Sequence, residues 1–146
     1  MSVKSSVQRQ NARLVDRIAP RMDEINAPEE GWLKTIRAAL GMSGSHVAKR
    51  INVTRAAIYQ AERNEREGAI TLRQMEKLAD AMGAKFVYAV VPNGSVNEVL
   101  ERQALSKARL QMGAGTEALP PIKLREKIKS LASDILRERP LDFWDD

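Results

Sequence analysis

Cysteine is absent from the 146-residue chain, and histidine occurs once, at His46. No disulfide framework or thiolate zinc site can form, and a single imidazole has no partner at metal-ligand spacing. Lying beside Ser45 at the start of a short helix, His46 reads as a surface or phosphate-contacting residue. No glycine-rich phosphate loop is present either, so the sequence points away from an enzyme. No apolar run approaches the roughly 20 residues that cross a bilayer. The N-terminal stretch is too polar for a signal peptide, which makes a cytoplasmic protein the expectation, with no membrane, metal or cofactor partner.

Positive charge is present in excess, with a formal net charge of +5 and uneven placement. Residues 1–22 carry five basic side chains against one acidic, and residues 32–82 carry nine against five. Between them, 23–31 has four acids and no base. Neutralising phosphates releases counterions, so nucleic acid is the natural partner of such a stripe; charge by itself equally allows a solvated face.

The stretch that organises the rest is Gly44 to Asn64, GSHVAKRINVTRAAIYQAERN. Val47, Ala48 and Ile51 form one apolar face, Ile58 and Ala61 a second, and Asn52-Val53-Thr54 separates them. Asn52 accepts the left-handed backbone conformation and can end the first helix. Thr54 can cap the second through its hydroxyl. Val53 is expected to face inward and fill the angle between the helices, and the small Ala48 allows a close crossing.

Those residue types at those positions resemble the helix-turn-helix of the Cro/repressor-type (XRE) DNA-binding family. The resemblance implies that Thr54 to Arg63 is the recognition helix, lying in the DNA major groove. One departure is Gly44, which stands where the family usually has Gln and so lacks one expected phosphate contact. The implied fold is mainly α: a lambda-repressor-like helical domain with one short β-strand, paired across a dimer or within the chain, and flanking N- and C-terminal helices. With Ile58 and Ala61 facing inward, Arg55, Ala56, Tyr59 and Gln60 are left for base edges. Arg55 suits guanine O6 and N7, Gln60 suits adenine N6 and N7, and Ala56 suits a thymine methyl; Tyr59 can reach a base or a phosphate. Ser43, Gly44, Thr54, Arg63 and Asn64 lie at the motif's ends, where side chains and backbone amides meet phosphates. The family often pairs a basic residue at the position of Arg37 with an acid at that of Glu62, which implies a partly buried salt bridge.

Around this motif the chain divides into an N-terminal helical arm and linker (1–31), the helix-turn-helix domain (32–83), a strand and helix for dimerisation (84–112), and a linker, amphipathic helix and acidic-aromatic tail (113–146). Val7, Leu14, Val15 and Ile18 give the arm a narrow apolar seam over Ser5–Ile18, and Pro20 is expected to end that helix. Arg9, Arg13 and Arg17 line one side of it, either along a phosphate backbone or in solvent. Trp32, Leu33, Ile36 and Leu40 form an apolar face in which Trp32 should be a core anchor, and Gly41 stops the helix. Thr71 caps a helix with Leu72, Met75, Leu78, Ala79 and Met82 along one side.

Lys85 to Val91 is β-branched and aromatic, bounded by Gly83 and Pro92-Asn93-Gly94, and reads as a strand. A lone strand leaves its backbone unpaired, so a two-fold homodimer through Phe86, Val87, Tyr88 and Val90 is expected, with pairing to the N-terminal extension as the alternative. Ser95 with Glu98 is a capping box opening a helix to about Gln111. Gly113 to Pro121 is a linker. Ile122 to Glu138 is an amphipathic helix whose apolar partner the sequence does not name. The tail with Phe143 and Trp144 either docks on another protein or tucks onto its own chain.

The phrases GWLKTIRAALGMS, ERNEREGAITL, AMGAKFVYAVVP and ERQA further resemble the small helix-turn-helix family named mobile mystery protein A, over about residues 8–112. That family is typically encoded beside a Fic-domain protein. The resemblance therefore implies, as an alternative to a plain repressor, an antitoxin that binds a Fic-domain partner. The string by which Fic inhibitors usually act, [Ser/Thr]-x-x-x-Glu-[Gly/Asn], is missing, so such binding would use the helix from Ile122 and the tail at Trp144.

Overall fold

Seven α-helices make up the regular structure of the computed structural model, which describes residues 3–113 and 120–145. Residues 114–119 of the expected linker lie outside the described part. The chain separates into two compact units, Glu24–Ala89 and Met1–Asp23 with Val90–Asp146.

The Glu24–Ala89 unit contains α2 (Trp32–Ala39), α3 (Gly44–Arg50), α4 (Arg55–Arg66) and α5 (Leu72–Ala81). None of these helices is long enough to be stable alone, so packing of their apolar sides has to hold them. Leu33, Val47, Ala48, Ile58, Ala61, Met75, Leu78 and Met82 form that core, with Ile36, Ile51, Ile70 and Phe86 partly buried against it. Three residues read as core face lie elsewhere. Trp32 is 45% exposed, because it occupies the first helical position, about 100° around the axis from the buried Leu33. Leu40 is exposed because α2 ends at Ala39, and Leu72 is exposed at the start of α5. Val53 likewise does not fill the turn; it is 37% exposed, and Ile51 packs on the core instead.

The expected strand is not observed: 84–91 carries neither helix nor β-ladder. A strand is defined by its partner, and none lies alongside this segment among the described residues. Phe86 turns onto the unit's own core and stacks with Tyr88 at a centroid separation of 5.5 Å. Val87 and Tyr88 remain 65% and 68% exposed.

The second unit is built from α1 (Val3–Met22), α6 (Val96–Met112) and α7 (Pro121–Glu138). Pro20 does not end α1, which continues to Met22. So near the C-terminus, the missing N–H removes a single bond, that to the Asp16 carbonyl, and the proline φ is helical anyway. α6 opens with the Ser95–Glu98 capping box, and the Val96 N–H donates to Asp16 Oδ1 at 2.8 Å, so a carboxylate of α1 also faces the positive end of α6. The α6–α7 contact is made largely through small residues: Ala104, Ala108 and Ala132 are buried together with Leu100, Ile135 and Phe143. The tail folds onto this unit. Phe143 is buried, its carbonyl accepts from Gln103 Nε2 at 2.7 Å, and Trp144 stands edge-on to it with 5.0 Å between centroids.

Candidate nucleic-acid interface

Each of the two motif helices is started by a side-chain cap. At Ser43 the hydroxyl accepts from the His46 N–H at 3.1 Å, and His46 Nδ1 accepts from the Ser43 N–H at 2.9 Å. This is a capping box with imidazole in the place of the usual Glu or Gln, which hides it from a motif search. It fixes the start of α3 at Gly44 and gives the exposed His46 a structural task. Asn52 adopts φ 55°, the Val53 N–H donates to the Ala48 carbonyl at 3.0 Å, and Thr54 Oγ1 accepts from the Ala57 N–H at 3.1 Å to open α4.

The inner edge of α4 is Ile58, Ala61 and Glu62, all buried, followed one turn later by Glu65. Glu62 is the one buried charged side chain among the described residues. Arg37 Nε and Nη2 donate to its two oxygens at 3.0 and 2.9 Å, while Nη1 donates to the Met42 carbonyl at 3.1 Å. The side chains are 13% and 5% exposed, so this is a forked, nearly dry pair that ties α4 to α2. The hydrogen bonds to Glu62 push the Arg37 pKa above its already high ordinary value, against the opposing effect of burial. A guanidinium with a raised pKa contributes its full stabilisation below its unfolded pKa, so the cation is present throughout the range in which proteins fold.

Glu65 lies beyond the recognition helix expected over Thr54 to Arg63, yet α4 runs to Arg66. Its carboxylate accepts the Trp32 N–H at 2.7 Å and the Leu33 N–H at 2.9 Å. Two unpaired donors at the start of α2 are thereby satisfied by a side chain 32 and 33 residues away, a distance that no local capping signature registers.

The outer edge of α4 exposes Arg55, Ala56, Tyr59, Gln60 and Arg63, with Asn64 half-buried. Arg63 Nη1 donates to Gln60 Oε1 at 2.8 Å, and Gln60 Nε2 donates to Asn64 Oδ1 at 2.9 Å, which sets the orientation of the Gln60 amide. Ser43 and Thr54 are exposed at the helix starts, whereas Gly44 is buried beneath the Tyr59 ring. Among the described residues no group of three or more His, Cys, Asp and Glu side chains could hold a metal ion, and no helix is long and apolar enough to cross a membrane.

A family model described as Helix-turn-helix, HTH_3, matches residues 33–88, which span α2 to α5 and the segment through Tyr88. No curated protein and no solved structure matches the chain.

Proposed function

We propose that this protein is a sequence-specific DNA-binding transcriptional regulator of the Cro/repressor (XRE) type, with α4 as its recognition helix. The observation that carries the reading is the two-sidedness of α4. One edge is fixed by Ile58, Ala61 and the Arg37–Glu62 pair; the opposite edge presents two guanidinium groups and an amide to solvent. Arg55, Ala56 and Gln60 contact bases, Arg55 at guanine and Gln60 at adenine. Ser43, Thr54, Arg63, Asn64 and the backbone at Gly44 contact phosphates and set the register. Two copies associate through the exposed Val87, Tyr88 and Val90, Phe86 being committed to its own core, and address a palindrome with half-sites about 34 Å apart.

The antitoxin alternative lacks a comparable observation. The apolar face of α7 that would meet a Fic-domain partner lies against α6 and Phe143 within its own unit.

The test is selection from a random duplex pool, followed by binding of Arg55→Ala and Arg63→Ala to single-base variants of the selected site. Arg55→Ala should erase a preference worth about 1–3 kcal/mol at one base pair of each half-site. Arg63→Ala should weaken all variants alike and flatten the salt dependence. Uniform loss with both variants, or no enriched palindrome, refutes the assignment.

A further inference from the structure

Gly44 leaves a space that a distant side chain occupies. A Cβ at this position would lie 2.8 Å from Tyr59 Cζ, 2.9 Å from Cε1 and 3.0 Å from the Tyr59 hydroxyl oxygen. Real Cβ atoms do not approach so closely, so any larger residue at 44 has to displace the ring. Tyr59 is thus seated against the backbone at the start of α3, although it projects from the outer edge of α4.

The ring in turn bears on Arg55. Four residues apart on one helix, the two side chains share a face, and the Arg55 guanidinium carbon is 5.4 Å from the Tyr59 centroid. Arg37 is also near the ring, at 5.7 Å, but its fork is already engaged by Glu62 and Met42. Arg55 makes no hydrogen bond with the described residues, so its N–H groups are free to meet a ligand while the cation rests by the ring. A long flexible side chain held in this way loses less freedom when it binds.

The geometry points to Tyr59 as the residue that positions Arg55 for base recognition, with glycine at 44 as the condition for it. This rests on the DNA reading of α4 and moves Tyr59 from base contact to support of the reader.

The experiment uses the full chain and the duplex it selects, together with a duplex altered at the base pair whose preference depends on Arg55. Tyr59→Phe keeps the ring and should retain that preference. Tyr59→Leu should reduce it about fivefold while leaving the other positions of the site unchanged. Gly44→Ala, which displaces the ring, should reduce it similarly. Adding Tyr59→Leu to Arg55→Ala should cost nothing further at that base pair. In the free protein, the Arg55 side-chain proton resonances should carry a ring-current shift in the wild type and in Tyr59→Phe that is absent from Tyr59→Leu.

A ring-current shift without any selected sequence removes the DNA reading, and with it this role. Selection that survives Tyr59→Leu unchanged, equal loss at every position, or an additive double variant overturns the positioning role alone.

Discussion

The two units of this chain hold their helices together differently, one around a buried ion pair and the other around an apolar core richer in alanine. In Glu24–Ala89 the core combines Leu, Val, Ile and Met of unlike shape with a buried ion pair that crosses from α2 to α4. In the unit of α1, α6 and α7, alanines at 104, 108 and 132 are buried together with Leu100, Ile135 and one aromatic from the tail, Phe143. Directional contacts fix where a helix points as well as how much surface it buries. The unit that holds the proposed reading helix therefore has a buried, forked ion pair behind it, while the alanine-lined unit has no buried charge among the described residues and adds to its apolar contacts single hydrogen bonds such as Val96 N–H to Asp16 and Gln103 to the Phe143 carbonyl. Substitutions in the two should fail in different ways.

The largest effect is expected at the ion pair. Glu62→Met leaves Arg37 buried and unpaired and should destabilise by about 3–5 kcal/mol, as should Arg37→Met for the reverse reason. Arg37→Met/Glu62→Met should recover most of that stability in chemical denaturation, since two apolar side chains can share the space. If the double variant is as unstable as the sum of the singles, the pair is not acting as a unit. Recovered stability without recovered DNA binding would separate two roles for the pair, holding α4 and aiming it.

In the alanine-lined unit the matching change is Phe143→Ala. Loss of a buried ring costs about 3 kcal/mol, here with release of the Gln103 hydrogen bond and of the edge contact to Trp144. No buried charge is stranded, so no second substitution should rescue it as the ion-pair double does. Denaturation monitored by Trp fluorescence and amide exchange of α6 reads the effect; a change below about 0.5 kcal/mol would mean that the tail does not complete this core.

Much of the Glu24–Ala89 unit is visible in sequence because each position there has a distinct chemical duty. Asn52 marks the left-handed turn, Thr54 the cap, and Ile58 and Ala61 the buried edge; the helical class follows from periodicity. Other features were hidden for physical reasons. Ala104 and Ala108 carry little hydrophobic signal, although both are buried in the contact of α6 with α7. Trp32 shares the apolar spacing of Leu33, Ile36 and Leu40, but its place one helical step before Leu33 leaves it exposed. The segment 84–91 has strand composition without a strand partner. The space at Gly44 read as a missing contact, and only the fold shows that Tyr59 fills it. Glu65 was invisible because its partners are more than 30 residues away.

Glu65 gives the smallest and most local test of the comparison. Its carboxylate accepts two amides at the start of α2, as Thr54 accepts one at the start of α4, but it does so across the unit. Removing a cap of this kind costs about 1–2 kcal/mol. Glu65→Gln keeps one acceptor and turns a donor toward the other amide, so it should fall between wild type and Glu65→Ala. Amide exchange should quicken at Trp32 and Leu33 first, because those two donors lose their partner while the rest of α2 keeps its own. If Glu65→Ala leaves those two amides protected, the start of α2 is held by the Leu33 side chain in the core, and the long-range cap is incidental to a helix already placed by the Arg37–Glu62 pair.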